Sequence, residues 1–542
     1  MSILIPVALV GGTVWALWLA FRAYLLKSPL DNVPGPTRTS LTQGNLGDLF
    51  NRYGWDYHDR IATQYPGVAK YHGPFGTRGL YVWDPQALHN IVIKEQHIYE
   101  EPRWFLSWFE MAFGPSLLST MGDYHRRQRK MLNPVFSIAH MRDLTPIFYS
   151  TVHRLRTAVE NQVGHGTKEV DVLNWMGRTA LELIGQGGLG YSFDPLVTES
   201  RNPYGDAIKM FIPLSFTLHY YRIIFPKVRN IGNALFQRIF LDLYPSKDVQ
   251  RMRGVVKTMH DHAKEIHQSK LAALAHGDVA LEHQIGEGKD LISTLLKANM
   301  KAEGDDKLPD AEVLGQLGSL VNAATDTTSN ALSRTFQLLA ERQDIQDKVR
   351  AEVLEASPDG ADIPYDILVD LPWIDAICRE TLRLYPPVTM LSREVRQDVM
   401  MPLTEPIRGE DGSTLTEIFV PKDTTVIIGI RACNRSKAIW GEDALEWKPE
   451  RWINKLPESV TAARVPGVYS NLMTFIGGGR ACIGFKFSQL EMKVVLAVLL
   501  RSFKFHPSNK DIVWNLAGVN YPTVGKDTTD PSMPMMLERL KY

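Results

Sequence analysis

Cysteine is scarce in this chain. Its 542 residues include three, Cys378, Cys433 and Cys482. None forms a Cys-x-x-Cys pair; the odd count suits a reducing compartment better than a disulfide scaffold and argues against a cysteine-rich zinc site. Neither sign of charge is in excess: 60 Lys and Arg residues face 60 Asp and Glu. That balance removes any bulk electrostatic case for nucleic acid. No long Ser/Gly/Pro linker, internal repeat or low-complexity tract interrupts the chain. The letters Gly-x-Gly-x-x-Gly occur in "GQGGLG" (Gly185–Gly190). They end a helical run instead of joining a strand to a helix, so they do not make a dinucleotide site.

One long uncharged run is present, "ILIPVALVGGTVWALWLAF" at Ile3–Phe21. It is about the length that crosses a ~30 Å hydrocarbon core. Arg22 and Lys27 follow it, which places the bulk of the chain on the cytosolic side. A cleaved signal peptide would want a basic start and a small-x-small cleavage site; the start "MSILIP" is uncharged. The prolines of "DNVPGPTRT" (Asp31–Thr39) remove N–H donors and stiffen the chain. The expected organisation is an anchor at 1–27, a proline-rich hinge and linker at 28–52, and one globular domain at 53–542.

Within the globular part, "VAKYHG" and "GLYVWD" read as two short strands around a turn. From Glu100 to about Leu354 nearly everything reads helical. The longest helix starts at about Asp310 and exceeds thirty residues; apolar residues on several faces predict that it is buried. "LPWIDAICRETLRLYPP" is a helix stopped by Pro386 and Pro387. Strand-like runs follow, including "TLTEIFVPKDTTVIIG", then a last helix from about Ile483 and short strands such as "DIVWN". The fold class is mostly α with a small β portion.

The stretch "FIGGGRACIGF" (Phe475–Phe485) sets Cys482 in a glycine-rich loop that leads into that last helix. Glycines let a backbone bend closely around a ligand. A helix N-terminus and nearby amides stabilise a thiolate. Such a thiolate is either a nucleophile or a ligand to a soft metal centre; no base lies in the same stretch.

The spacing Phe475, Gly478, Arg480, Cys482, Gly484 resembles the haem-binding signature of cytochromes P450, whose haem iron is held by cysteine thiolate. The resemblance implies that family's fold, with a long central helix over the haem and the cysteine loop on its other side. It implies haem b as cofactor, with Cys482 the axial ligand and Arg480 a propionate partner. Three further motifs stand in the family's order. "ETLR" supplies Glu380 and Arg383, and "KPERW" supplies Arg451, matching a structural Glu-Arg-Arg cluster. "AATDTTS" matches the oxygen-side motif, with Asp326 and Thr327 in the proton-handling places and Ala324 where the family usually has glycine. "HRRQRK" places His125 and Arg129 where the family often has a Trp-x-x-x-Arg pair reaching propionates. Arg126, Arg127 and Lys130 are candidates for a basic docking face. Arg393, in "LSREV", resembles a further propionate contact. Cys378 and Cys433 match no ligand position.

The resemblance implies a monooxygenase that inserts one oxygen atom of O2 into a lipophilic small molecule. It further implies an endoplasmic-reticulum membrane enzyme with a single span and a cytosolic catalytic domain. No fused reductase is visible, so electrons would come from a separate NADPH-cytochrome P450 reductase, with cytochrome b5 a candidate second donor. The chain's style resembles fungal microsomal enzymes, for which a terpenoid or similar secondary metabolite is the first substrate expectation; fatty acids and aromatic xenobiotics are the others. Trp104, Phe105, Trp108, Phe109 and Phe113, then Phe211, Phe216, Tyr220 and Phe225, read equally as pocket wall or as core. Pro387–Leu391 and Ala517–Val519 are further candidate walls. The competing readings are a haem-thiolate isomerase or dehydratase, which the intact Asp326–Thr327 pair argues against, and a non-catalytic haem binder.

Overall fold

The computed structural model describes residue 18 and residues 24–197, 203–218, 221–222, 231–232, 234–276, 288–304 and 307–540. Apart from Trp18, the Ile3–Phe21 run lies outside the described residues, as do Tyr220 and Phe225. Among the described residues no helix is long and apolar enough to cross a membrane. The chain folds into two compact units. One comprises Met1–Pro102, Thr389–Leu445 and Pro457–Ala481; the other comprises Arg103–Val388, Glu446–Leu456 and Cys482–Tyr542.

The first unit is built on a five-stranded sheet. Val68–His72 and Arg78–Val82 form the antiparallel pair read from the sequence. Thr425–Ile428 lies parallel to Arg78–Val82, Leu391–Val395 pairs antiparallel with it, and Tyr99–Glu100 closes the far edge. Val, Ile, Leu and Tyr dominate these strands, and burying them on a pleated surface is what selects the extended backbone. Pairing Glu100 with Glu394 fixes where the acidic pair Glu100–Glu101 lies along that edge.

The second unit is helical. Its longest element, the central helix Asp310–Glu341, has 32 residues. Asp310 and Glu312 in its first turn oppose the positive end of the helix dipole. Gly315 and Gly318 are small for a packing reason. A Cβ on Gly315 would lie 2.2 Å from the Pro115 carbonyl oxygen, and one on Gly318 would lie 2.9 Å from the Phe113 ring. Around this helix lie the aromatic helix Arg103–Phe113, the basic helix Gly122–Leu132, the Glu-Arg helix Pro372–Leu384 and the cysteine helix Phe485–Ser502.

One strand in the predicted helical stretch was not legible. Thr167–Asp171 pairs with Pro534–Arg539, which pairs in turn with Phe503–Pro507. "TKEVD" has too few apolar residues to read as a strand alone; its partner is supplied from the far end of the chain. Asp171 then caps the following helix by accepting from the Asn174 amide, and it accepts from Ser532 Oγ and the Met533 amide as well.

Candidate active site

In the first unit, the glycine-rich loop takes a path that side chains would block. Gly478 has φ +72°, and a Cβ there would lie 1.7 Å from the Val92 carbonyl oxygen. A Cβ on Gly477 would lie 1.9 Å from the Pro466 oxygen. The Gly479 amide donates to Gln96 Oε1 at 2.7 Å, and Phe475 meets Tyr469 edge-on. These contacts fix the loop before it reaches the cysteine.

Arg480 stands against two carboxylates, Glu100 at 3.0 Å and Glu101 at 2.9 Å. Arg393, almost wholly buried, also pairs with Glu101, at 3.3 Å. Arg396 pairs with Glu394 and donates to the Glu101 carbonyl. The two arginines assigned from sequence thus come together on a shared acid. Sequence reading missed that acid, because nothing in "YEEPR" marks a glutamate as internal.

In the second unit, Cys482 keeps an accessible face although the chain around it is enclosed. That enclosure raises the thiol pKa above its ordinary value. The Gly484 amide and the charge of Arg129 pull it back, and both therefore favour a thiolate. Arg129 is half-buried on the basic helix, and His125 is buried one turn earlier on the same helix. Cys378 and Cys433 are wholly buried, and burial pushes the Cys378 thiol up to about 12 and Cys433 higher still. Neither can serve as a ligand at the same ease, in agreement with their reading as packed thiols.

The central helix is buried on most of its circumference, but Leu320, Ala323, Ala324 and Thr327 form one accessible stripe. Positions i, i+3, i+4 and i+7 share a helix face, so the stripe is continuous. Thr327 Oγ1 donates to the Ala323 carbonyl at 2.8 Å. Asp326 lies at the edge of the stripe. Burial raises its carboxyl to about 6, and the positive charge of Lys209 holds it from rising further. Thr328 Oγ1 donates to Ser488 Oγ at 3.2 Å, tying the central helix to the cysteine helix.

The donor set fits a thiolate-held haem. A sulfur with an open face, cationic and amide support behind it, and a stripe of small residues on a helix in contact with the cysteine helix are what a flat macrocycle requires.

The Glu-Arg-Arg cluster is fully assembled. Arg383 makes a two-pronged pair with Glu380, at 2.9 and 2.8 Å, with both side chains fully out of solvent. Glu380 also accepts from the Lys448 amide at 3.0 Å and the Trp452 indole at 2.9 Å. Arg451 lies 3.5 Å away. The cluster pins the Glu-Arg helix to the segment that carries Arg451, a structural task.

The basic face is smaller than its sequence suggests. Arg127 turns inward and pairs with Glu312 of the central helix at 3.1 Å, where Tyr124 and Gln128 also donate to Glu312. Glu312, 1% exposed, needs those three donors. Arg126 and Lys130 stay exposed, with Arg126 paired to Asp123.

The candidate walls are partly brought together. Phe105–Phe109, Phe109–Phe113 and Phe113–Phe211 have ring centroids 4.6, 5.9 and 5.2 Å apart. A Cβ on Gly518 would lie 2.9 Å from Phe216, and Asn520 donates to the Pro386 carbonyl while its amide donates to Pro387. The 517–519 loop therefore meets both Phe216 and the double proline.

Comparison with known proteins agrees with this geometry. The family model "Cytochrome P450" matches residues 57–519. Cytochrome P450 monooxygenase 91 of Postia placenta is 52% identical, over 98% of each chain. Cytochrome P450 monooxygenase 212 of the same fungus is 51% identical, over 98% of this chain and 97% of its own. Ganoderic acid synthetase CYP5150L8 of Ganoderma lucidum is 46% identical, again over 98% of each. With its open cysteine thiol, its small-residue stripe and its buried Glu-Arg-Arg cluster, the chain belongs to the cytochrome P450 family.

Proposed function

We propose that this P450 monooxygenase hydroxylates a lipophilic terpenoid or related secondary metabolite, with electrons from a separate NADPH-dependent reductase. The overall reaction is RH + O2 + two electrons + two protons, giving ROH and water. The observation that carries the reading is the open face of Cys482 beside Arg129 and the Gly484 amide. Cys482 Sγ would hold the haem iron, and the bound haem supplies the activation of oxygen and its insertion into the substrate.

The chain's own residues do the rest. Asp326, with its pKa near 6, holds and releases a proton close to neutral pH, which is the range a relay needs. Thr327 carries a hydroxyl on the accessible stripe, and that O–H donates to the Ala323 carbonyl. The small side chains of Ala323 and Ala324 leave room beside it. Arg480, Arg393, His125 and Arg129 are proposed propionate partners, and Phe475 a wall of the ligand loop. The substrate proposal is supported by the aromatic helix, and by a 46% identical relative whose printed name is a ganoderic acid synthetase. The Ile3–Phe21 run supports a single endoplasmic-reticulum anchor with the catalytic units in the cytosol.

The test is the reduced, carbon-monoxide-bound spectrum of purified protein, followed by product analysis with a reductase and a panel of terpenoids. Cys482→Ala is expected to lose the thiolate band completely. A retained band would refute the ligand assignment. Thiolate haem without turnover on the terpenoid panel would refute the substrate class.

A further inference from the structure

Buried arginines in this protein have acids. Arg178 pairs with Asp194, Arg383 with Glu380, and Arg393 with Glu101. Arg222 differs. As a residue it is part-buried, with its guanidinium largely enclosed, just beyond the helix Pro203–Thr217, and no carboxylate among the described residues faces it. Its Nη1 donates to the Ser215 carbonyl at 3.2 Å. Its Nε is enclosed and has no hydrogen-bond partner among the described residues. The guanidinium carbon lies 4.4 Å from the Trp104 ring centre and 5.9 Å from that of Trp108. Trp108 is itself held by its indole N–H on Ser215 Oγ, at 3.0 Å.

Two aromatic faces stabilise a cation by less than the burial of an unpaired charge costs. Burial alone lowers the Arg222 pKa to about 10, so the group stays charged at neutral pH. The charge is therefore present, only partly compensated, and fixed in place by two tryptophans. Its location is informative. Trp104 touches Phe105, and the rings of Phe105, Phe109 and Phe113 follow along the aromatic helix. Phe113 packs on Gly318 of the central helix, the helix that carries Asp326 and Thr327. At ~1.5 Å per residue, the row from Trp104 to Phe113 is about 14 Å long.

We propose that Arg222 is the anchor for a carboxylate head group, and that the preferred substrate is a lipophilic acid whose hydrocarbon body lies along this aromatic row. The inference rests on the reading of the row as substrate-facing. A carboxylate would supply the missing counter-charge to the guanidinium; an ester or alcohol of the same skeleton can accept a hydrogen bond but brings no charge. Specificity follows from the same asymmetry. A neutral analogue leaves the buried guanidinium unpaired, and a site built for a charged partner rejects it more strongly than an apolar pocket rejects a missing methylene.

The experiment uses the full-length, haem-loaded protein. Dehydroabietic acid and its methyl ester, then lauric acid and methyl laurate, are titrated at neutral pH. Binding is read from the shift of the haem absorption and independently by equilibrium dialysis. At least one acid is expected to bind about tenfold or more tightly than its ester, the scale of one charge-assisted hydrogen bond. Arg222→Gln should weaken that acid by a similar factor and leave the ester within about twofold, whereas Arg222→Lys should keep part of the preference. Equal binding of acid and ester in both pairs overturns the proposal without any variant. So does binding of neither acid, or an Arg222→Gln protein that weakens acid and ester alike, since a structural staple would do that. The reduced, carbon-monoxide-bound spectrum of the same sample separates the two claims. If the thiolate band is absent, the monooxygenase reading fails; if it is present without acid preference, only the anchor fails.

Discussion

Replacing Glu380 with alanine should be among the most damaging single changes in the second unit. The carboxylate takes two bonds from Arg383, both out of solvent, and two part-buried ones from the Lys448 amide and the Trp452 indole. Truncation leaves the guanidinium buried without its counter-charge. Breaking a buried pair in this way costs about 3–5 kcal/mol. The orphaned Lys448 and Trp452 N–H groups add about 1 kcal/mol each. A loss of about 5–7 kcal/mol rivals the ~5–15 kcal/mol that holds a typical domain folded. Replacing both partners by apolar residues, Glu380→Leu with Arg383→Met, removes both charges together. The double variant should therefore be more stable than Glu380→Ala by about 2 kcal/mol. The assay is urea unfolding followed by tryptophan fluorescence, alongside the haem content recovered after expression. A Glu380→Ala protein that loses less than about 1 kcal/mol would refute the reasoning, because a solvent-exposed pair behaves that way. A double variant as poor as the sum of the singles would refute the charge argument in particular.

Three further outcomes are expected. Gly478→Ala should lose more than about 2 kcal/mol, since a side chain there meets both the left-handed strain and the Val92 carbonyl; a normal melting curve with full haem content would show that the loop can move aside. Glu491 is wholly buried on the cysteine helix, neither carboxylate oxygen has a partner among the described residues, and burial raises its pKa well above the ordinary range. Its folded form therefore keeps a proton that the unfolded chain releases above about pH 4.5, so stability falls as pH rises from there toward the folded pKa. Glu491→Gln removes that slope, and its melting temperature should gain on the wild type between about pH 5 and pH 8; a constant difference would count against a protonated Glu491. Thr327→Ala should consume NADPH with about tenfold less product and release hydrogen peroxide instead. Unchanged coupling, measured as product per NADPH, would remove Thr327 from proton handling.

Much of the site was legible because its residues are tied to local backbone. The loop around Cys482 needs glycines where other chains pass close, and the central helix needs small residues where it stays accessible; both needs show as letters. Glu380 and Arg383 lie one turn apart on a helix that a double proline ends, so the pair reads locally too. What stayed hidden depends on distant partners. Glu312 looks like a first-turn surface acid, and only the folded chain brings Tyr124, Arg127 and Gln128 onto it. Arg127 was misread for the same reason. Glu100 and Glu101 gain meaning from Arg480 and Arg393, which lie hundreds of residues away. Arg222 is informative because no acid among the described residues faces it, and a missing neighbour leaves no letter behind.

The strand Thr167–Asp171 carries one more lesson, about time. Its partner, Pro534–Arg539, emerges from the ribosome long after it, about 20–70 s later at ordinary translation speeds. During that wait its peptide groups have no ladder to join, and an unpaired edge invites other nascent chains. Lys168 and Glu169, both exposed in the finished fold, put charge on that edge throughout. The weak strand signal of "TKEVD" is thus a protection during synthesis, and swapping those two charges for valine should show first as aggregation of newly made protein.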